Sequence, residues 1–469
     1  HLGGSAAALC NGVSILGVNN TSTIITSLEP GYSFTSIFSD ATAAPTTLPG
    51  ALCNTVGVAR LTNYPINNAS RGDTQIVTTA PGDAANFNPG DIVYYGGGVA
   101  NGDASCGVPG SPAAEINRVV SVNSSTGVIQ LDHIVSKNYP FGPVGTPNFV
   151  AQVNAWAHHD INISDVTLNG IGGGGTIGLN DCLHCSVTDV NIPAVAWAAT
   201  LSGAEERDVV FDNDNIRSTG SEEFDEVREV TVQNSQITEQ AGSNQWAASE
   251  GATDVTFSGD TFTSDDSFCG LQGRCDFLSP TMLLLTGGGG YYSITSNSFS
   301  GDWVQPFGTG IATTEPTTVP VLEGVLIDTN TLNLQSANSL TGFNLTSPAT
   351  QQSVTNNTVY INAGAANSQA IRIYTGLVDS NHLTSAQDVS HNGVIDVSNS
   401  IPQAEPLSLS NNTISVSGFS DAIYTDLTAP TPVSIGPGNV CIGSANGTGI
   451  ASVGTVAPTI VGSAPKCTQ

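Results

Sequence analysis

Along the chain, one short pattern of apolar and polar positions recurs ten times: apolar, any, apolar, any, small polar or glycine, any, any, apolar. It opens with Ile161, Ile163 and Asp165 and closes at Leu168. The central apolar residue is then Val187, Phe211, Val232, Phe257, Ile294, Ile327, Val354, Val378 and Leu409. Steps of 24, 24, 21, 25, 37, 33, 27, 24 and 31 residues separate them, so a basic period carries insertions of variable size. Alternation of period two marks strands: the two apolar residues of each repeat point inward and the residue between them outward. The fifth position reads Asp165, Asp189, Asn213, Asn234, Gly259, Ser296, Thr329, Asn356, Ser380, Asn411. Such residues tolerate the left-handed backbone of a tight corner, and stacked Asn side chains can hydrogen-bond as a ladder. Four positions repeating together predict a β-solenoid, one coil per repeat, with loops growing from the longer ones. A helical solenoid needs heptad-like patterning, which is missing.

Upstream, Gly72–Val77 followed by Asn88–Val93, and Arg118–Val122 followed by Gly127–Asp132, are strand-like runs broken by turn residues. With the repeat, they resemble pectate-lyase-superfamily proteins over roughly residues 70–430. The resemblance implies an all-β fold, a right-handed parallel β-helix with N- and C-terminal caps. Residues 1–70 read as an N-terminal cap or arm and 71–157 as the lead-in to the solenoid. Residues 158–426 read as the coils with loop insertions, and 427–469, rich in Pro, Gly and Val, as a C-terminal cap. Two strand-like runs, Ser22–Leu28 and Ala457–Gly462, stand outside the ten-coil register.

Aligning the coils brings distant residues together. The position before the first apolar residue reads Asp160, His184, Asp208, Glu229, Asp254, which predicts one column at about 4.8 Å per coil. Like charges stacked so closely repel unless something compensates. Arg207 and Arg228 sit beside them one coil apart, and His158 and His159 lie at the same edge. One reading is a Ca²⁺ site on Asp160, Asp208, Glu229 and Asp254; the other is mutual neutralisation along a solvated edge. The resemblance to pectate lyases implies calcium held against a uronate on Asp208, Glu229 and Asp254, with Arg207 or Arg228 as the base. The tryptophan-isoleucine-aspartate-histidine and arginine-proline motifs of those lyases are absent. Of the polygalacturonase motifs, Asp265-Asp266 and Arg372-Ile373 match only in part, since Tyr374 replaces the lysine. Trp197, Trp246, Trp303 and Tyr291-Tyr292 serve equally as sugar-stacking rings or lids over the core.

Composition narrows the function classes. A formal charge of −29 disfavours nucleic acid as a partner, and no apolar run is long enough to span a membrane. Nine scattered cysteines suggest local disulfides in an oxidising compartment, paired as Cys10–Cys53, Cys269–Cys275 and Cys441–Cys467. Cys182-x-x-Cys185 reads as a local disulfide or two packed thiols, and Cys106 is left over. The incomplete motifs, only two lysines and uniform strands point to a secreted, extracellular structural or assembly role. A surface, sheath or filament subunit or an adhesin fits, with itself as partner through head-to-tail or edge-strand association, or with polysaccharide. The alternative is a calcium-dependent polysaccharide lyase acting on uronate-containing glycans.

Overall fold

The structure is a computed structural model. It describes residues 7–8, 12–27, 38–39, 62–96, 114–136, 138, 148–154, 157–170, 177–180, 182–193, 201–204, 207–218, 222–225, 227–240, 246–249, 252–265, 283–285, 290–302, 307–309, 322–336, 340–346, 349–363, 368–386, 393–399, 405–417, 421–427, 432–443, 449–462 and 467–468. Three long parallel sheets wind into a right-handed parallel β-helix. The first runs from Ser14–Leu16 through Asn162–Ser164, Cys182–Thr188 and Arg207–Asp212 to Thr459–Ile460. The second runs from Ile24–Ser27 through Thr167–Gly170 to Cys467–Thr468, and the third from Ala7–Ala8 through Ile177–Asn180 to Ile450–Ser452.

The repeat read from the sequence is the register of the coils. Ile163, Val187, Phe211, Val232, Phe257, Ile294, Ile327, Val354, Val378 and Leu409 pair one above the next in a single column. All ten are buried, each stabilising the coil by roughly 1.5–3 kcal/mol through burial. The two strand-like runs expected to stand apart join this register. Ile24–Ser27 pairs with Thr167–Gly170, and Thr459–Ile460 with Ser434–Ile435.

Left-handed corners recur at two positions of the coils. The fifth position of the repeat is one: Asp165, Asp189, Asn213 and Asn234 have φ of 58°, 56°, 55° and 55°. The charged column is the other: Asp160, His184, Asp208, Glu229 and Asp254 have φ of 53–58°. The corners do not break the ladder. Asp165 N–H donates to the Thr188 carbonyl at 3.1 Å and Asp189 N–H to Asp212 at 3.0 Å in the next coil. A left-handed L-residue costs roughly 1–2 kcal/mol, so the bend carries backbone strain but loses no hydrogen bond.

The asparagine ladder lies one residue further on than the sequence suggested. Asn297, Asn330, Asn357, Asn381, Asn412 and Asn439 are buried, and each Nδ2 donates to the Oδ1 of the next at 2.9–3.1 Å. The corner residue's side chain instead faces outward, as Asn356 and Asn411 do in bonding Asp328 and Asp379.

The described residues between Tyr64 and Gln152 fold as a separate antiparallel unit rather than as more coils. Its strands lie in the order Tyr64–Ile66, Asn148–Gln152, Ile92–Gly96, Ala114–Asn123, Val128–Leu131, Gln75–Val77. A bridge from Ile66 to Thr78 and the bond from Asn67 N–H to the Val77 carbonyl (2.8 Å) close the sheet into a small barrel. Where a short turn joins two of its strands, only an antiparallel pairing is open to them. Gly127, with φ +77° and Thr78 Oγ1 2.7 Å from where a Cβ would sit, makes the turn between Asn123 and Val128. Ile66, Ile76, Phe87, Val93, Tyr95, Val119, Ile129 and Val150 fill the barrel. Tyr94, Ile116 and Phe149 on its other face pack with Leu183 of the β-helix.

Of the expected disulfides, Cys10–Cys53 and Cys269–Cys275 lie outside the described residues, as does Cys106. Cys441 is disulfide-bonded and sits in register beside Cys467, while Cys182 and Cys185 form a local disulfide.

Candidate functional site: a charged seam between barrel and β-helix

The left-handed corner turns each residue of the charged column out of the coil, and the barrel stands where they emerge. Arg71, Glu115, Arg118, Asp132 and His133 come from the barrel side; Asp160, His184, Arg207, Asp208, Arg228, Glu229 and Asp254 come from the coils. Four of the chain's eight arginines are gathered here.

Each carboxylate of the column has its own basic partner. Arg118 reaches Asp160 at 3.2 Å, and His159 Nδ1 lies 2.7 Å from the same carboxylate. His184 Nδ1 is hydrogen-bonded to Asp208, and its Nε2 lies 3.3 Å from Asp132. Glu229 takes Arg207 at 2.8 Å and His133 Nδ1 at 2.6 Å. Arg71 grips Asp254 with both Nη atoms, at 2.7 and 2.6 Å, and stacks on the Tyr291 ring 3.5 Å from its centroid. Behind this row, Arg207 and Arg228 share the buried Glu115, at 3.0 and 3.9 Å. Arg207 also donates to the carbonyls of Ile116 and Ile134, and Glu115 accepts Ser136 N–H.

The electrostatics follow from these pairs. The hydrogen bond with His184 holds Asp208 below the usual carboxylate range, and in return Asp208 holds His184 above the usual imidazole value. Burial alone would raise Glu229, but the His133 hydrogen bond and the Arg207 charge outweigh it and bring it down to about 2. Burial works against the Arg207 cation as well, yet Glu115 and Glu229 keep its pKa above the ordinary value.

The sequence-derived site is therefore brought together as a column. Asp208, Glu229 and Asp254 sit on successive coils and Asp160 two coils before Asp208, each turned to a different partner. Arg207 and Arg228, the expected bases of a lyase, are 0 % exposed. A base that abstracts a proton must reach within hydrogen-bond distance of it, and neither side chain is open to a polymer in this structure. The Tyr291-Tyr292 pair divides: Tyr291 clamps Arg71, while Tyr292 is buried with its hydroxyl donated to the Ala252 carbonyl at 2.8 Å. Asp265 ends the strand Thr261–Asp265; Asp266, Trp197 and Trp303 lie outside the described residues, as does the side chain of Trp246. Arg372 lies 3.5 Å from Asp396 on the neighbouring strand.

Sequence reasoning missed the barrel half of the seam. Among the described residues, the one trio of metal-ligand side chains whose donor atoms all lie within 4.8 Å is Asp132, His133 and His184. Asp132 and His133 precede His184 by about 50 residues and belong to no repeat, so no spacing rule links them.

No protein-family model and no curated protein matches the chain. Solved structures with a similar path include the tailspike gp61 of Pseudomonas phage phi297, at 14 % identity and TM-score 0.43, covering 97 % of this chain and 67 % of that one. The tailspike gp49 of Pseudomonas phage LKA1 gives 14 % identity and TM-score 0.40, over 95 % and 67 %. The Gp54 tailspike of Acinetobacter baumannii bacteriophage AP22, solved with A. baumannii capsular saccharide, gives 10 % and 0.41, over 83 % and 64 %. These likenesses concern the fold alone.

Proposed function

We propose that the chain is a structural subunit of an extracellular assembly: a rigid β-helical rod that adds to copies of itself through the ends of its coils. The observation that carries this reading is where apolar surface stays exposed. Leu16, Val18 and Ile24 are 70, 87 and 56 % exposed on the first coil, and Val440, Ile442, Val453, Ile460 and Val461 are exposed on the last ones. Along the coils between them, only Leu326, Tyr360 and Leu377 are large, apolar and exposed among the described residues. A terminal coil presents strand N–H and C=O groups along the axis, and apolar side chains beside them make it a template for addition. Addition of one rod's end to the other end of the next is a heterologous contact, which propagates. The Cys182–Cys185 disulfide and the disulfide-bonded Cys441 support an oxidising compartment outside the cell. Among the described residues, no helix is long and apolar enough to cross a membrane.

The test is sedimentation and negative-stain microscopy of the full chain over a concentration series. Rods longer than one chain should appear, and Ile460→Lys with Val461→Lys should return them to single length without lowering the melting temperature. A monomer at every concentration overturns the reading.

A further inference from the structure

We propose that Asp132, His133 and His184 form a binding site for one divalent transition-metal ion of the zinc, nickel or cobalt kind, held across the seam. This goes beyond the assembly role and does not depend on it. The donor atoms of the three side chains already lie within 4.8 Å of one another. A zinc ion at about 2.0–2.2 Å from imidazole nitrogen and carboxylate oxygen then needs only small side-chain rotations.

The two imidazoles are arranged as ligands rather than as ion-pair partners alone. His133 offers Nδ1 to Glu229 at 2.6 Å, and His184 offers Nδ1 to Asp208. A carboxylate on Nδ1 fixes a proton there and orients the ring, which leaves Nε2 as the metal-binding nitrogen once the ion displaces the proton that His184 Nε2 shares with Asp132. The supporting carboxylates are held in turn, Glu229 by Arg207 at 2.8 Å. The His133 backbone is fixed from both sides by the buried Asn117, whose Oδ1 accepts His133 N–H at 3.1 Å and whose Nδ2 donates to the His133 carbonyl at 2.9 Å. Arg118, the arginine whose charge acts on His184, is engaged by Asp160 at 3.2 Å. Without metal, Asp132 and His184 Nε2 sit 3.3 Å apart, and an ion entering between them replaces that contact with two bonds.

The donor chemistry selects the ion. Two imidazoles and one carboxylate suit zinc, nickel or cobalt, whereas calcium asks for six to eight oxygens. The side chains of His133, His184 and Asp132 are 20, 24 and 40 % exposed, so solvent can complete the coordination shell. Because Asp132 and His133 belong to the barrel and His184 to a coil, the ion ties the two units together.

The experiment uses the full chain, stripped with a chelator and titrated with Zn²⁺, Co²⁺ or Ca²⁺ by calorimetry and thermal melting at neutral pH. One equivalent of Zn²⁺ should bind and raise the melting temperature, Ca²⁺ should do neither, and Co²⁺ should give visible ligand-field bands without a thiolate charge-transfer band. His133→Gln and Asp132→Asn should each weaken Zn²⁺ at least tenfold, as should Glu229→Gln through the ring it holds. His382→Gln, at an exposed histidine far along the coils, should bind as the parent does. Asp132 is exposed, so Asp132→Asn keeps the test decisive should a histidine variant fail to fold. Absence of saturable Zn²⁺ binding by the folded chain overturns the proposal, as does undiminished binding in both Asp132→Asn and His133→Gln, which would place the ion elsewhere.

Discussion

The coils from Asp160 to Asp254 and those from Gly324 onward share one backbone, yet the same two positions carry opposite chemistry in each. At the first corner, the early coils place Asp160, His184, Asp208, Glu229 and Asp254; the later ones place Gly324 and Gln351 there, with φ of 63° and 54°. At the buried ladder, the later coils use Asn at every step from Asn297 to Asn439, while the early ones use Asp214, Ser235 and Asp260. A repeat makes each position its own control: where a corner only has to turn, glycine or a neutral residue is enough. Charge appears at the corner only where the barrel brings Arg71, Arg118 and His133 against it. The strain of a left-handed Glu or His is thus held by cross-unit bonds.

The ladder difference has a separate cause. An Asn supplies an acceptor to the coil before it and, through Nδ2, a donor to a carbonyl, as Asn297 does to Phe257 at 3.0 Å. Asp260 Oδ1 accepts Ser235 N–H at 2.8 Å and Asp214 Oδ1 accepts Val190 N–H at 2.8 Å, but Oδ2 of each is buried without a partner. A proton on Oδ2 supplies the missing donor. Burial pushes both carboxyls up, Asp260 to about 8, and the nearby Asp212 and, at Asp214, Asp189 add to this.

The largest expected effect is at the seam. Arg207→Ala removes the closer of the two arginines on the buried Glu115, leaving Arg228 at 3.9 Å, and takes the arginine from Glu229 as well, which should cost roughly 3–5 kcal/mol in chemical denaturation. A variant in a later coil of similar burial but no charge partner, Val354→Ala, should cost less, about 2–3 kcal/mol, and leave the barrel's hydrogen exchange unchanged. Equal losses of barrel protection in both would erase the distinction between the two sets of coils.

The ladder should give the next effect, with opposite sign. Because the folded pKa of Asp260 is raised from 3.8 to about 8, its stabilising contribution is complete below about pH 4 and is lost as pH rises through about 8. The roughly three pH units between the ordinary value and neutrality correspond to at most about 4 kcal/mol. Asp260→Asn should therefore raise the melting temperature at pH 7 and leave it nearly unchanged at pH 4. The reciprocal Asn381→Asp should import the same pH dependence into a later coil. Flat pH profiles in both would show that Oδ2 is satisfied by other means.

A smaller effect belongs to Asp254→Asn. The bidentate pair with Arg71 is about one-fifth exposed on each side, so its loss should cost about 1–2 kcal/mol and shrink in high salt, unlike the loss at Arg207. The melting temperature as a function of salt separates them.

The coil register was legible in the sequence because period-two alternation and the corner residue repeat together from Ile163 to Leu409. The charged column was legible for the same reason, since Asp160 to Asp254 hold one register position. Its partners were not. Glu115, Arg118 and His133 reach it through an antiparallel barrel whose closure depends on pairings such as Ile66 with Thr78, which leave no period in the sequence. The ladder was placed one residue early because a left-handed corner reverses which neighbour points inward, so Asn357 and not Asn356 is buried.

The claim that the column is a seam joining barrel to coils is tested most directly by a double-mutant cycle on Glu115 and Arg207, one from each unit and both fully buried. Stabilities of Glu115→Ala, Arg207→Ala and the double variant, measured by denaturant unfolding of the full chain, give the coupling. The account predicts a coupling energy of about 2–3 kcal/mol, with the double variant far less destabilised than the two single losses combined. Additivity within about 0.5 kcal/mol would contradict it, because two groups that hold the units together through each other cannot act independently.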